Sequence, residues 1–200
     1  MLVIETNHMG SFIDTILEKD TGLFVFLNGK YAEWIDPVMI FLSAYYSWVI
    51  FCISIAVIMA YVKHRIGAWA VLFAALTTVV NAFINNIIKI IICRPRPIHV
   101  DTLQGVFRSL EEYEASYSFF SAHSSNAFCI AVFTSLFLRN KIYSFFILLW
   151  AAMVSYSRIY VGKHFPLDVL CGILFGILTG YIGYRLFLIF SAKKLSPQNG

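Results

Sequence analysis

Charge is what this sequence has least of: 15 Lys and Arg with 11 Asp and Glu make only 13% of its 200 residues charged, against 60% apolar and 17% aromatic. A soluble domain needs about a quarter of its residues charged, so a water-facing globule is excluded. The mean hydropathy of +0.76 agrees, and it excludes intrinsic disorder as well. Cysteine is sparse and unpatterned, because Cys52, Cys93, Cys129 and Cys171 stand singly without C-x-x-C spacing. They read as small core hydrophobes rather than metal or redox ligands. No internal repeat or low-complexity stretch is present, and no basic stripe offers a nucleic acid a surface. The formal charge of +4 comes from Lys and Arg set beside apolar runs, the pattern of basic loops in a membrane protein. The N-terminal residues lack the layout of a signal peptide, since Glu5, Asp14, Glu18, Lys19 and Asp20 interrupt them, so the first span is expected to insert uncleaved.

What is present is a set of long apolar runs. A bilayer core about 30 Å thick needs roughly 20 helical residues to cross it. Five stretches approach that length: 37–62, 66–92, 121–138, 142–157 and 165–190. The second carries Asn81, Asn85, Asn86 and Lys89 as its polar exceptions. These imply an all-α, polytopic transmembrane bundle of about five spans. Residues 1–36 form a separate N-terminal segment, in which Phe12, Ile13, Ile16 and Leu17 recur at helical spacing among Asp14, Glu18, Lys19 and Asp20. It is expected to lie in the interface, although a sixth span built from it would also fit the length. The bundle then covers 37–192 and 193–200 form a tail, of which the polar residues 196–200 are expected to fray.

Basic residues set orientation by preferring the cytoplasmic side. Lys63 with Arg65, Arg139 with Lys141, and Lys193 with Lys194 all fall at one end of a five-span bundle. That end is expected in the cytoplasm of an inner or plasma membrane. The opposite end, with loop 93–120 and link 158–164, then faces the periplasm or exterior.

Ionisable groups at the ends of apolar spans are functional until shown otherwise. Lys89, Arg94, Arg96, His123, Arg158, Lys163, His164 and Asp168 all belong to the outer end. Snorkelling to the interface explains any single Lys or Arg among them, but not the convergence of all on one face. They fall in three clusters: K-I-I-I-C-R-P-R-P over 89–97, F-S-A-H over 120–123, and S-R-I-Y-V-G-K-H-F-P-L-D over 157–168. Fixed Arg and Lys cations around one point suit a phosphate and its transition-state charge. Ser121 stands at a helix N-cap, where its hydroxyl either caps the helix or binds a phosphate oxygen beside the free amides. His164 and Asp168 are one helical turn apart, so the carboxylate is expected to hold one ring N–H and leave the other nitrogen to attack phosphorus. His123 is placed to protonate the leaving oxygen. Two His and one Asp ringed by cations make a poor metal site, and no cofactor is called for. Glu111, Glu112 and Glu114 read as a solvated acidic loop.

In order and spacing these clusters resemble the type 2 phosphatidic acid phosphatase family, whose pattern runs K-x6-R-P, P-S-G-H and S-R-x5-H-x3-D. Lys89, Arg96 and Pro97 match the first motif, and Ser157, Arg158, His164 and Asp168 match the third. The second departs from it, with Phe120 for Pro and Ala122 for Gly, though Ser121 and His123 stand in place. Ala122 keeps its backbone N–H but crowds the pocket by one methyl. The resemblance implies a membrane bundle that removes a terminal phosphate from a lipid phosphate or pyrophosphate through a phosphohistidine, without metal. It makes His164 the nucleophile, Asp168 its orienter and His123 the acid and later water activator. Lys89, Arg96, Ser121, Ala122 and Arg158 would bind phosphate, with Arg94 an extra candidate. The expected substrate is undecaprenyl pyrophosphate; phosphatidylglycerophosphate, lipid A and transfer to another lipid are the alternatives. A reporter fused after Lys194 is expected to read as cytoplasmic, and a periplasmic signal would reverse this topology.

Overall fold

The computed structural model describes residues 2–111 and 115–195. Among the described residues six α-helices run in order: α1 (Leu2–Asn28), α2 (Asp36–Ser43), α3 (Tyr45–Ile92), α4 (Ala122–Leu138), α5 (Lys141–Tyr160) and α6 (Pro166–Leu195), with short 3-10 turns between some of them and no strand. Helices α3, α5 and α6 are long and apolar enough to cross a membrane, and α4 is a shorter apolar helix.

Helix α3 is a hairpin. His64 leaves helical geometry with φ 44° and ψ −124°, and a Cβ on Gly67 would stand 2.1 Å from the Met59 carbonyl oxygen. In a straight helix those two residues would be about 12 Å apart. The chain therefore folds back at the basic turn 63–65, and the arms 45–63 and 65–92 supply the first two of the five expected spans. The first is shorter than the sequence implies. The apolar run from 37 is broken at Ala44, whose ψ of 142° ends α2, and the break turns Ser43 towards Arg158.

Helix α4 sits at the centre. Ala127, Ala131, Phe133 and Thr134 are fully buried, and α6 lies against its backbone through Gly172, Gly176 and Gly180. A Cβ at these positions would stand 2.6, 2.2 and 2.5 Å from the carbonyl oxygens of Ser121, Ser125 and Cys129. In a bilayer, where apolar burial gives helices little drive to associate, such small-residue seams let backbones approach. Hydrogen bonds reinforce the contact. Asn81 donates to Ser125 Oγ at 2.5 Å and Asn126 Oδ1 at 2.6 Å, and accepts from Thr179 at 2.8 Å. Asn85 donates to the Phe120 carbonyl at 2.9 Å. The polar exceptions of the second span thus tie three helices together. An apolar core of Ile55, Met59, Phe137 and Phe187 fills the other end. Val57, Val79, Ile90 and Ile189 face outward, as the hydrocarbon of a membrane permits.

Helix α1 crosses the end of the bundle opposite the basic turn. Asp20 accepts from the Leu167 amide, Phe24 packs edge-on to Phe107 and Phe165, and Asn28 donates to the carbonyls of Ile159 and Tyr160. Residues 20 and 28 are about 12 Å apart along a helix, yet both meet the same tips of α5 and α6. One cysteine departs from expectation: Cys93 is exposed, because it adopts φ 51° as the left-handed C-cap of α3. The expected frayed tail, 196–200, lies outside the described residues.

Gly176→Ala is expected to lower the melting temperature of the detergent-solubilised protein by several degrees, since its methyl has only backbone to displace. Gly22→Ala, with open space around it, should cause no loss in the same thermal-shift measurement.

Candidate active site

The site forms where the α5–α6 link folds back onto the end of α5. The amides of Lys163 and His164 both bond the Arg158 carbonyl, at 2.9 and 3.2 Å. Gly162 makes the reversal with φ +83°, and a Cβ there would come within 2.8 Å of the Phe107 ring. Pro166 opens α6, and the Asp168 carboxylate two residues later accepts from the Phe165 amide at 3.0 Å, half of a capping box. His164 consequently precedes the helix. Its Nδ1 stands 3.7 Å from Asp168 Oδ2, within ion-pair range but too long for the direct hydrogen bond that a shared helical turn would give.

The imidazole has definite polarity. Arg96 Nη1 lies 3.2 Å from His164 Nε2, and a guanidinium only donates. Nε2 must therefore present its lone pair and Nδ1 carry the proton. Nδ1 faces the Ser118 hydroxyl at 3.3 Å, and that hydroxyl in turn donates to Asp168 Oδ2 at 2.5 Å. Arg96 is fixed by the Ser116 carbonyl and hydroxyl, each at 2.8 Å, and by the Lys163 carbonyl at 3.1 Å. Lys89 donates to the Tyr117 carbonyl at 2.8 Å. Burial, then the charges of Arg96, Lys89 and Arg158, push the His164 pKa well below its ordinary value. The ring is neutral at physiological pH, as a nucleophile must be.

The remaining expected residues divide into those that join this centre and those that do not. Ser121 is the N-cap of α4, accepting from the Ser124 amide at 3.4 Å, and its own amide bonds the Asp168 carbonyl at 3.0 Å. His123 and Ala122 line a cavity of about 320 Å³ with Trp48, Ala82, Asn86 and Asn126. The His123 ring bonds the Ser43 backbone and feels the charges of Arg158, His164 and Lys89. Arg94, expected beside the phosphate, instead lies behind Asp168, paired at 2.6 Å with both Asp168 Oδ1 and Asp20 Oδ2. Glu111 also departs from its reading as a solvated loop residue. Its carboxylate stands 3.5 Å from Arg158 and 3.6 Å from Lys163, and it accepts from Ser43. A carboxylate thus occupies the cationic site that an anion would fill. Glu112 and Glu114 lie outside the described residues.

Asp20, Ser43 and Ser118 were not among the residues singled out from sequence. Asp20 looked like one of several charges on an amphipathic helix, and Ser43 sat inside an uninterrupted apolar run. Ser118 had one visible signal, standing three residues before Ser121 in the second motif.

Comparison with known proteins is consistent across the chain. A family model described as PAP2 superfamily matches residues 69–190. A lipid A 4'-phosphatase of Porphyromonas gingivalis is 32% identical over 189 residues, 93% of this chain and 80% of the relative. The undecaprenyl-diphosphatase BcrC of Bacillus subtilis is 27% identical over 160 residues, 76% of this chain and 74% of the relative. Among solved structures, a transmembrane PAP2-type phosphatidylglycerolphosphate phosphatase from Bacillus subtilis aligns with a TM-score of 0.71 at 25% identity, over 92% of this chain and 90% of that one.

In an NMR titration, His164 should remain neutral through pH 6.5 and protonate only well below it. Arg96→Gln removes a repelling cation, so the imidazolium becomes easier to form and the transition should move to higher pH.

Proposed function

Because the chain belongs to the PAP2 superfamily, whose members hydrolyse lipid phosphate and diphosphate esters, we propose that it removes the terminal phosphate of a membrane lipid through a covalent phosphohistidine at His164. The observation that carries this reading is the polarity of His164: a buried neutral ring with its Nε2 lone pair turned towards Arg96, among Lys89 and Arg158.

In the proposed reaction, Lys89, Arg96 and Arg158 bind the phosphate oxygens, displacing the Glu111 carboxylate from Arg158, and the amides at the start of α4 add donors. As Arg96 turns its Nη1 hydrogen bond from His164 Nε2 to a phosphate oxygen, the freed Nε2 lone pair attacks phosphorus and the bond to the leaving oxygen breaks. His123, protonated once the bound anion offsets the surrounding cations, gives that oxygen its proton, so the lipid leaves as an alcohol or a monophosphate. The phosphoimidazolium is positively charged, and the Asp168 carboxylate, reached through Ser118, balances it. His123, now a base, takes a proton from water, whose oxygen attacks the phosphohistidine. Inorganic phosphate leaves and His164 is regenerated. Protein cations supply the electrostatic role that a metal fills elsewhere.

Similarity orders the substrates differently from the motifs. The lipid A 4'-phosphatase relative covers more of the chain at higher identity than the undecaprenyl-diphosphatase does. Lipid A is accordingly the first proposed substrate, and undecaprenyl pyrophosphate the second. A hydrocarbon chain has room beside the site. An apolar cavity of about 350 Å³, lined by Cys52, Ile55, Thr78 and Ile130, lies one helical turn beyond Trp48, Ala82 and Asn126 on the same helices. We place α1, within the segment 1–36, in the interface over the bundle 37–192. The site end faces the periplasm or exterior, and the tail 193–200 is cytoplasmic.

Purified protein in detergent and chelator should release phosphate from lipid A faster than from undecaprenyl pyrophosphate or phosphatidylglycerophosphate. His164→Ala should reduce release at least about a thousandfold. Equal release by the variant would contradict the mechanism, and a reversed substrate order would contradict the choice of lipid A.

A further inference from the structure

Asp168 is too far from His164 to orient it directly, and the structure supplies the missing connection on both sides. Towards the ring, the Ser118 hydroxyl lies between Nδ1, at 3.3 Å, and Asp168 Oδ2, at 2.5 Å. Ser118 is fully buried, and its amide bonds the Arg94 carbonyl at 2.8 Å. Behind the carboxylate, Arg94 gives one Nη to Asp168 Oδ1 and the other to Asp20 Oδ2, each at 2.6 Å, with its guanidinium 4.2 Å from the Phe165 ring centroid. Asp20 is itself buried, and its second oxygen accepts from the Leu167 amide at 2.8 Å. Helix α1, the segments flanking the outer loop and the start of α6 thus meet in one buried chain of contacts that ends on the imidazole.

We propose that Asp20 and Ser118 are positioning residues for the nucleophile, acting through Asp168 and resting on the assignment of His164 as that nucleophile. Ser118 relays the ring's N–H to the carboxylate. Asp20 does two things. It pins the far side of Arg94, which otherwise has a single anionic partner about which to pivot. It also sets the charge of the group. Arg94 with Asp168 alone would be neutral, whereas Arg94 with two carboxylates carries one net negative charge. That charge stands behind His164 when the ring becomes a phosphoimidazolium. Helix α1 is on this reading a working part of the active site, although none of its residues reaches the phosphate.

Asp20→Asn retains the volume and an acceptor for the Leu167 amide while removing the charge. It should lower kcat about tenfold or more, with KM within about twofold of wild type, as expected when only the transition-state arrangement is lost. The melting temperature should stay within a few degrees, and phosphoenzyme formation should slow in a single turnover. Ser118→Ala should show the same split between kcat and KM, and Ser118→Thr, which restores a hydroxyl, should recover part of the loss. Glu18→Gln, exposed on the same helix, should match wild type. Unchanged kcat in Asp20→Asn, or a loss confined to KM, would overturn the inference. If His164→Ala is inactive while Asp20→Asn behaves as wild type, the positioning claim alone fails. If His164→Ala is active, the assignment beneath it fails too.

Discussion

Everything in this molecule follows from placing several full charges inside the end of an apolar helical bundle. Lys89, Arg96, Arg158, Lys163 and Asp168 are all buried, and an ion taken out of water without partners costs several kcal/mol. The fold meets that cost with backbone carbonyls and short ion pairs drawn from distant parts of the chain. The carbonyls of Ser116 and Tyr117 hold two of the cations, and Asp20 reaches across from α1 to Arg94. Burial, and then the same crowding of cations, keeps His164 neutral. On the proposed mechanism, the cations that bind phosphate are therefore also the ones that prepare the nucleophile.

Rigidity at this end depends on packing in the middle. The glycine seam of α6 presses Gly172 against the Ser121 carbonyl, and the Ser121 amide bonds the carbonyl of Asp168. The N-cap of α4 and Asp168 at the start of α6 are thereby held in fixed relation. A looser contact between the two helices would shift His123 against His164, and catalytic geometry tolerates little displacement. On the proposed mechanism, small residues at four-residue spacing thus act on the chemistry as well as on the fold.

The apolar runs made the bundle legible because a bilayer leaves helices few other solutions. The three motifs made Lys89, Arg96, Arg158 and His164 legible because their spacing survives folding: the tips of α3 and α5 and the start of α6 end on one face. What escaped was whatever depended on breaks and on distant partners. No composition signal marks Ala44 as the end of a helix, and that break delivers Ser43 to Arg158. The direct His164 to Asp168 bond failed because Pro166 starts the helix after the histidine, so helical spacing does not apply to that pair. Arg94 was visible as a cation, but its two carboxylate partners are 74 residues away in opposite directions along the chain. Glu111 was readable as acidic loop, and only the fold brings it against Arg158.

The most direct test is to trap the intermediate. With phosphorus-labelled lipid substrate, rapid quenching in alkaline detergent should leave label on the protein that is stable to base and lost in acid, and peptide mapping should place it on His164. Label on another residue, or hydrolysis in a single step with inversion at phosphorus and no labelled protein, would contradict the role given to His164.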